Sequence, residues 1–251
     1  MVASTAFAAE PEKAATSAVD PDAVAAATRA GDFLRGRERY SFTAETAYEA
    51  VQDDGSKVEF GATRRYLVRR PDRVRVEVEP RSGASRLVVF DSEQLTYAVP
   101  DAKVYAQLEL KQRRGIDEAI VMLREVFDMP LPIAELLQTD PREELVGSLT
   151  GAYRVGTAKI AGAACDHLAL RNDDADLQLW IEQGARPLVR RVVITYRNEP
   201  GAPSFEADLG DWNLDAKSSD EDFRYVPAKD FERIRFAAPP KAAAGTETET
   251  R

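Results

Sequence analysis

Cysteine and histidine each occur once in these 251 residues, and that scarcity removes several kinds of chemistry. A lone thiol cannot close an internal disulfide. One cysteine with one histidine cannot complete a four-ligand zinc site without carboxylates or a second chain. No metal and no cofactor is therefore expected. The sequence also has no phosphate-cradling glycine loop, no G-x-S-x-G elbow and no H-E-x-x-H pair. Runs of about 18 apolar residues, long enough for a membrane-spanning helix, do not occur. Basic residues are in deficit: 34 against 43 acidic give a net charge of −9. Charge of that sign repels nucleic-acid backbones and anionic leaflets. The arginine pairs at 64–65, 69–70, 113–114 and 190–191 are scattered rather than gathered into one basic block, so they read as strand and turn surface.

The start of the chain, "MVASTAFAAEPEKAATS", contains Ala6-Phe7-Ala8, the small-x-small pattern that signal peptidase cuts after. Residues 1–19 are expected to be a signal-peptide remnant and leader, which places the protein in a bacterial periplasm; a plain alanine-rich leader is the alternative. Residues 237–251, "AAPPKAAAGTETETR", hold little that can be buried and read as a disordered tail. A single domain over residues 20–236 remains.

Asp20-Pro21 is a helix-start signal, with the carboxylate as cap and the proline in the first turn. From Tyr40 the apolar period changes to two. "YSFTAETAYEAVQ", "DDGSK" and "VEFGATRRYLVRR" form a predicted hairpin. In "RVRVEVEP", Val74, Val76 and Val78 face one way and the charges the other. Three more strands follow at 85–91, 94–100 and 103–110. Residues 116–127 return to helical spacing through Ile116, Ala119, Ile120, Leu123 and Phe127, while Val121, Met122 and Val126 widen the stripe, so a helix buried on most sides is expected. Asp140 and Glu143 have capping-box spacing. A second run of strands extends from about residue 150 to "FRYVPAKDFERIRF", with hairpin loops at 172–176 and 182–187. About ten antiparallel strands must curl to hide their apolar faces, which predicts an α+β, mostly antiparallel fold: an incomplete, half-open barrel covered by helices.

"AACDHLAL" places the only cysteine two residues before the only histidine. Residues i and i+2 of a strand share a face, so Cys165 and His167 point together and Asp166 points away. The Asp therefore cannot orient the imidazole, and neither an orienting third group nor oxyanion donors are visible nearby. Cys165 reads as a small buried hydrophobe. A thiol enzyme using Cys165 and His167 stays as an alternative.

Cys165-Asp166-His167, Trp180-Ile181-Glu182 with Gly184 and Pro187, and Asp211-Trp212-Asn213, set within helix, meander, helical insert and second meander, resemble a bacterial family of unknown function labelled predicted periplasmic protein. That family is in turn similar to the periplasmic lipoprotein carriers of the LolA and LolB type. The resemblance covers roughly residues 20–236, and its motif residues are Cys165, His167, Trp180 and Trp212. It implies an apolar concave face that takes up an acyl chain beneath helices. The expected function is thus a non-catalytic binding or carrier module for a lipid or other hydrophobic ligand, with an envelope protein-interaction module as alternative. Val76, Leu87, Val89, Leu179, Ile181, Ile194 and Trp212, with Ile120 and Leu123 from the covering helix, are the expected lining.

Overall fold

The computed structural model describes residues 19–125, 131 and 133–236. The leader and tail, and Val126 and Phe127 of the expected helix, lie outside these residues.

Helix α1 (Pro21–Arg35) starts where the capping signal predicts: the Asp20 carboxylate accepts a hydrogen bond from the Asp22 amide at 2.9 Å. It buries small residues, Ala23, Ala26, Ala27, Ala30 and Gly31, before ending on Leu34. Gly31 is a close approach and not a weak point, because a Cβ there would sit 2.5 Å from the Cα of Arg142 in α3 (Pro141–Val146).

Six strands follow: β1 (Arg39–Val51), β2 (Lys57–Arg69), β3 (Arg73–Pro80), β4 (Arg86–Phe90), β5 (Gln94–Val99) and β6 (Val104–Glu109). Then come α2 (Ile116–Glu125), a 3-10 turn at Ala134–Leu136, and α3. Strands β7 (Gly151–Ile160), β8 (Ala163–Arg171), β9 (Ala175–Glu182), β10 (Val189–Tyr196), β11 (Ser204–Asn213) and the two-residue β12 (Glu232–Arg233) complete the fold. All twelve lie in one open sheet in the order β12-β6-β5-β4-β3-β2-β1-β11-β10-β9-β8-β7. The expected number of about ten is low by the short β12 and one strand more. Each meander pairs only with its own neighbours, and the two are joined by antiparallel β1–β11 pairing, for example Ala44 with Leu209.

This order has a direct consequence. The chain starts at the middle of the sheet, works outward to β6, and must resume at β7 on the opposite edge. The connection from β6 to β7 therefore crosses the sheet, and among its described residues Ile116, Ile120, Leu123, Ile133, Leu137 and Leu145 are buried against the concave face. One large core results. It joins the inward residues of β1–β5 and β7–β11 to α1, α2, the 3-10 turn and α3.

Helix α2 buries Ile116, Ala119, Ile120 and Leu123, but Val121 is 40 % exposed and Met122 only partly buried. It is thus an amphipathic cover on the sheet, not a helix buried on most sides. The last stretch also departs from expectation. Only Glu232–Arg233 pairs, in parallel with β6, and the residues before it cross the convex face as a strap. Phe223 on the strap is fully buried against Leu87, Val89 and Ala98, and Asp220 forms ion pairs with Arg69 and Arg73.

Candidate functional site: a covered apolar face

The concave face is built from alternate residues of twisted antiparallel strands, so one register fixes its whole lining. Val76, Leu179, Ile181, Ile120 and Leu123 are at most 4 % exposed and belong to one apolar cluster. Ile194 and Trp212 pack against it, partly buried. Along its centre the rings of Tyr66, Phe42 and Trp212 stack, with centroids 4.5 Å and 4.4 Å apart in succession.

Seven of the nine expected lining residues are thereby brought together. Leu87 and Val89 are not: they face the convex side under the strap, whereas Val88 and Phe90 face the main core. "LVVF" is apolar at every position because β4 is covered on both faces, and an unbroken run cannot reveal which alternate set points inward.

Among the described residues, few backbone hydrogen bonds hold the cover to the sheet. At its start the Arg114 amide donates to Ser92 O (2.9 Å) and the Ile116 amide to Pro71 O (2.8 Å); within the cover the Thr139 amide donates to the Asp117 carboxylate of α2 (2.8 Å). In the 3-10 turn the Leu136 carbonyl accepts two hydrogen bonds, from Tyr40 Oη of β1 at 2.7 Å and from Nη2 of Arg70, in the turn between β2 and β3, at 3.3 Å. Arg70 also donates to the Leu34 and Arg37 carbonyls at the C-terminus of α1. This guanidinium is 8 % exposed and burial draws its pKa down. Its partners are peptide carbonyls at helix ends, where the backbone dipole is negative. Burial likewise pushes the Tyr40 phenol well above its usual value. Both residues were invisible to sequence reasoning, since "VRRP" and "RYSF" carry no sign of which polar groups go inside.

Towards the tip of the β1–β2 hairpin the cover ends. Tyr48, Val58 and Phe60 continue the inward-facing columns of β1 and β2, yet they are 44 %, 42 % and 40 % exposed. Tyr48 and Phe60 stack at 5.6 Å.

The Cys165-Asp166-His167 triplet separates as alternation predicts. Cys165 is wholly buried, its sulfur 3.6 Å from Ala163 O, and burial raises its pKa above the ordinary thiol value. His167 instead meets Gln178 (Nε2 to Oε1, 2.9 Å) and stacks on Trp180 at 4.1 Å, with Arg191 on the other side of the indole at 5.7 Å. These groups tie β8, β9 and β10 together on the convex face. Asp166 points to α1, where it accepts hydrogen bonds from Arg154 and Gln183 and lies 3.6 Å from Arg29. Burial alone would raise its pKa; the hydrogen bonds from Gln183 and Arg154 and the charges of Arg154 and Arg29 outweigh it and hold the carboxyl below its usual value. Among the described residues no group of three or more His, Cys, Asp or Glu could hold a metal ion, and no helix is long and apolar enough to cross a membrane.

A family model described as predicted periplasmic protein (DUF2092) matches residues 23–237. A comparison with curated proteins found no match. Several solved structures are similar in fold. An uncharacterized conserved protein from Thermus thermophilus is 12 % identical, with 83 % of this chain and 98 % of that one covered and a TM-score of 0.49. The Mycobacterium tuberculosis lipoprotein LppX is 13 % identical over 79 % and 98 % of the two chains, TM-score 0.44. A LolA superfamily protein from Nitrosomonas europaea is 12 % identical over 81 % and 98 %, TM-score 0.41.

Proposed function

Since the chain belongs to the family of predicted periplasmic proteins, we propose that it is a non-catalytic carrier or binding module for a lipid or other hydrophobic ligand of the cell envelope. One observation carries the proposal: the apolar concave face of an open sheet is covered by a crossing segment whose described residues make few backbone ties to it, and that face runs out to exposed apolar side chains at the hairpin tip. In the conformation described, the protein's own side chains fill this face. Uptake then requires α2 and the turn at Ala134–Leu136 to lift, so that an acyl chain replaces Ile120 and Leu123 against Val76, Leu179 and Ile181. Each buried methylene contributes roughly 0.8 kcal/mol, so burial of a long acyl chain can offset the unpacking of the cover. The buried thiol with its raised pKa, and an imidazole engaged by Gln178 and Trp180, favour this reading over a Cys165–His167 enzyme.

The test is displacement of a fluorescent acyl probe from the delipidated protein. Saturable binding that fatty acid competes away is the expected outcome; no saturable binding contradicts the carrier reading. A second reading, an envelope protein-interaction module, draws on strand β7. It is a sheet edge on which Tyr153 and Val155 are each 49 % exposed, and such edges accept strands from partners.

A further inference from the structure

On the middle strands, charge is distributed differently on the two faces. The convex-face arginines of β2 and β3 and the nearby Arg81 have carboxylate partners: Arg65 with Glu79, Arg75 with Glu77, Arg81 with Glu59. Two arginines share the other face. Arg64 lies in the inward column of β2 between Ala62 and Tyr66, and Arg86 lies in the inward column of β4, two residues before Val88. They are in line across the sheet, since Arg64 pairs with Val78 and Val78 pairs with Arg86. Two strand spacings place their backbones about 10 Å apart, a separation that two arginine side chains leaning over Val78 can close upon one small anion.

Neither arginine joins an ion pair among the described residues, and the titratable groups nearest in effect to Arg64 are the neutral phenols of Tyr66 and Tyr48 and the like-charged Arg86. Burial lowers the pKa of Arg64. Its Nε donates to Thr46 Oγ1 at 3.2 Å, and that hydroxyl donates to Ala62 O at 2.8 Å, which fixes the plane of the guanidinium. Glu135, on the turn of the cover, is the carboxylate whose charge reaches this region, acting on Tyr66 and Tyr196. The pair sits at the boundary between the packed core at Tyr66, Val76 and Val88 and the exposed tip at Tyr48 and Phe60.

Two arginines in line on an apolar face, neither in an ion pair with a carboxylate among the described residues, form a receptor for an oxyanion at the end of a hydrocarbon chain. A phosphate suits them better than a carboxylate, because one fork already engages both oxygens of a carboxylate, while a phosphate has further oxygens for the second. We infer that Arg64 and Arg86 bind the phosphate head group of a lipid whose acyl chain lies on the concave face. This rests on the carrier reading and narrows its ligand to a phosphate-bearing amphiphile.

The experiment compares three probes on the full-length delipidated protein: palmitoyl lysophosphatidic acid, monopalmitoylglycerol, which differs by the phosphate alone, and palmitate. The parent should prefer the lysophosphatidic acid over the monoacylglycerol by about tenfold or more, the scale of a hydrogen bond to a charged group. Arg86→Gln, at an exposed position, and Arg64→Gln should each reduce that preference, and the double variant should abolish it, with monoacylglycerol affinity unchanged. Equal binding of the two glycerol lipids by the parent, or a preference that survives the double variant, overturns the head-group site and leaves the carrier reading intact. Palmitate bound as tightly as lysophosphatidic acid overturns the choice of phosphate. Failure of all three probes to bind overturns both readings together.

Discussion

At the scale of single residues, alternation read the Cys165 triplet correctly because β8 is a regular strand, with Asp166, Leu168 and Leu170 on one face and Cys165 and His167 on the other. The thiol should resist iodoacetamide at neutral pH for as long as the protein stays folded, and Cys165→Ala should cost about 1–3 kcal/mol, as small core truncations do. Labelling faster than global unfolding would contradict the burial. Asp166 was only half legible: its direction followed from the strand, its partners did not, because Arg29 and Arg154 are distant in sequence. Its folded pKa is depressed, so its contribution to stability is present above the unfolded value near 4 and is lost as pH falls through the folded value. Asp166→Asn should therefore lower stability by about 1–3 kcal/mol at pH 7, and denaturant melts of the two proteins should converge in strong acid. A gap that persists unchanged at low pH would mean the loss comes from packing and not from the charge.

At the scale of elements, the hairpins and α1 could be placed from turn and cap residues, since those signals are local. Two elements could not. The strap is held by Phe223 and by ion pairs to Arg69 and Lys103, and its sequence alternates enough to resemble a strand. For the same reason Leu87 and Val89 were assigned to the wrong face, because nothing in "RLVVF" announces a second layer behind it. Helix α2 is where stability and function should separate. Leu123→Ala should cost roughly 2–5 kcal/mol if the closed packing dominates, and it should also weaken acyl-probe binding or speed probe release. Loss of stability with unaltered probe kinetics would assign Leu123 to the core alone and relieve α2 of a gating role.

At the scale of the whole molecule, two strand runs divided by a helical insert were legible, but the edge-to-edge crossing that makes the insert a cover depends on β1 pairing with β11 across more than 150 residues. Removal of residues 1–18 and 237–251 should leave the thermal midpoint within a few degrees, with Val19 retained because it bridges to Ala152 beside the edge strand. A large drop would assign one end a place in the fold. The central claim is that the concave face holds a hydrophobic ligand, and native mass spectrometry of protein purified from the periplasm tests it most directly. The account predicts a bound species of lipid mass that disappears on organic extraction, is restored by adding phosphate-bearing lipid, and is reduced in the Arg64→Gln, Arg86→Gln double variant. A spectrum of bare protein only, before extraction and after lipid is supplied, would contradict it.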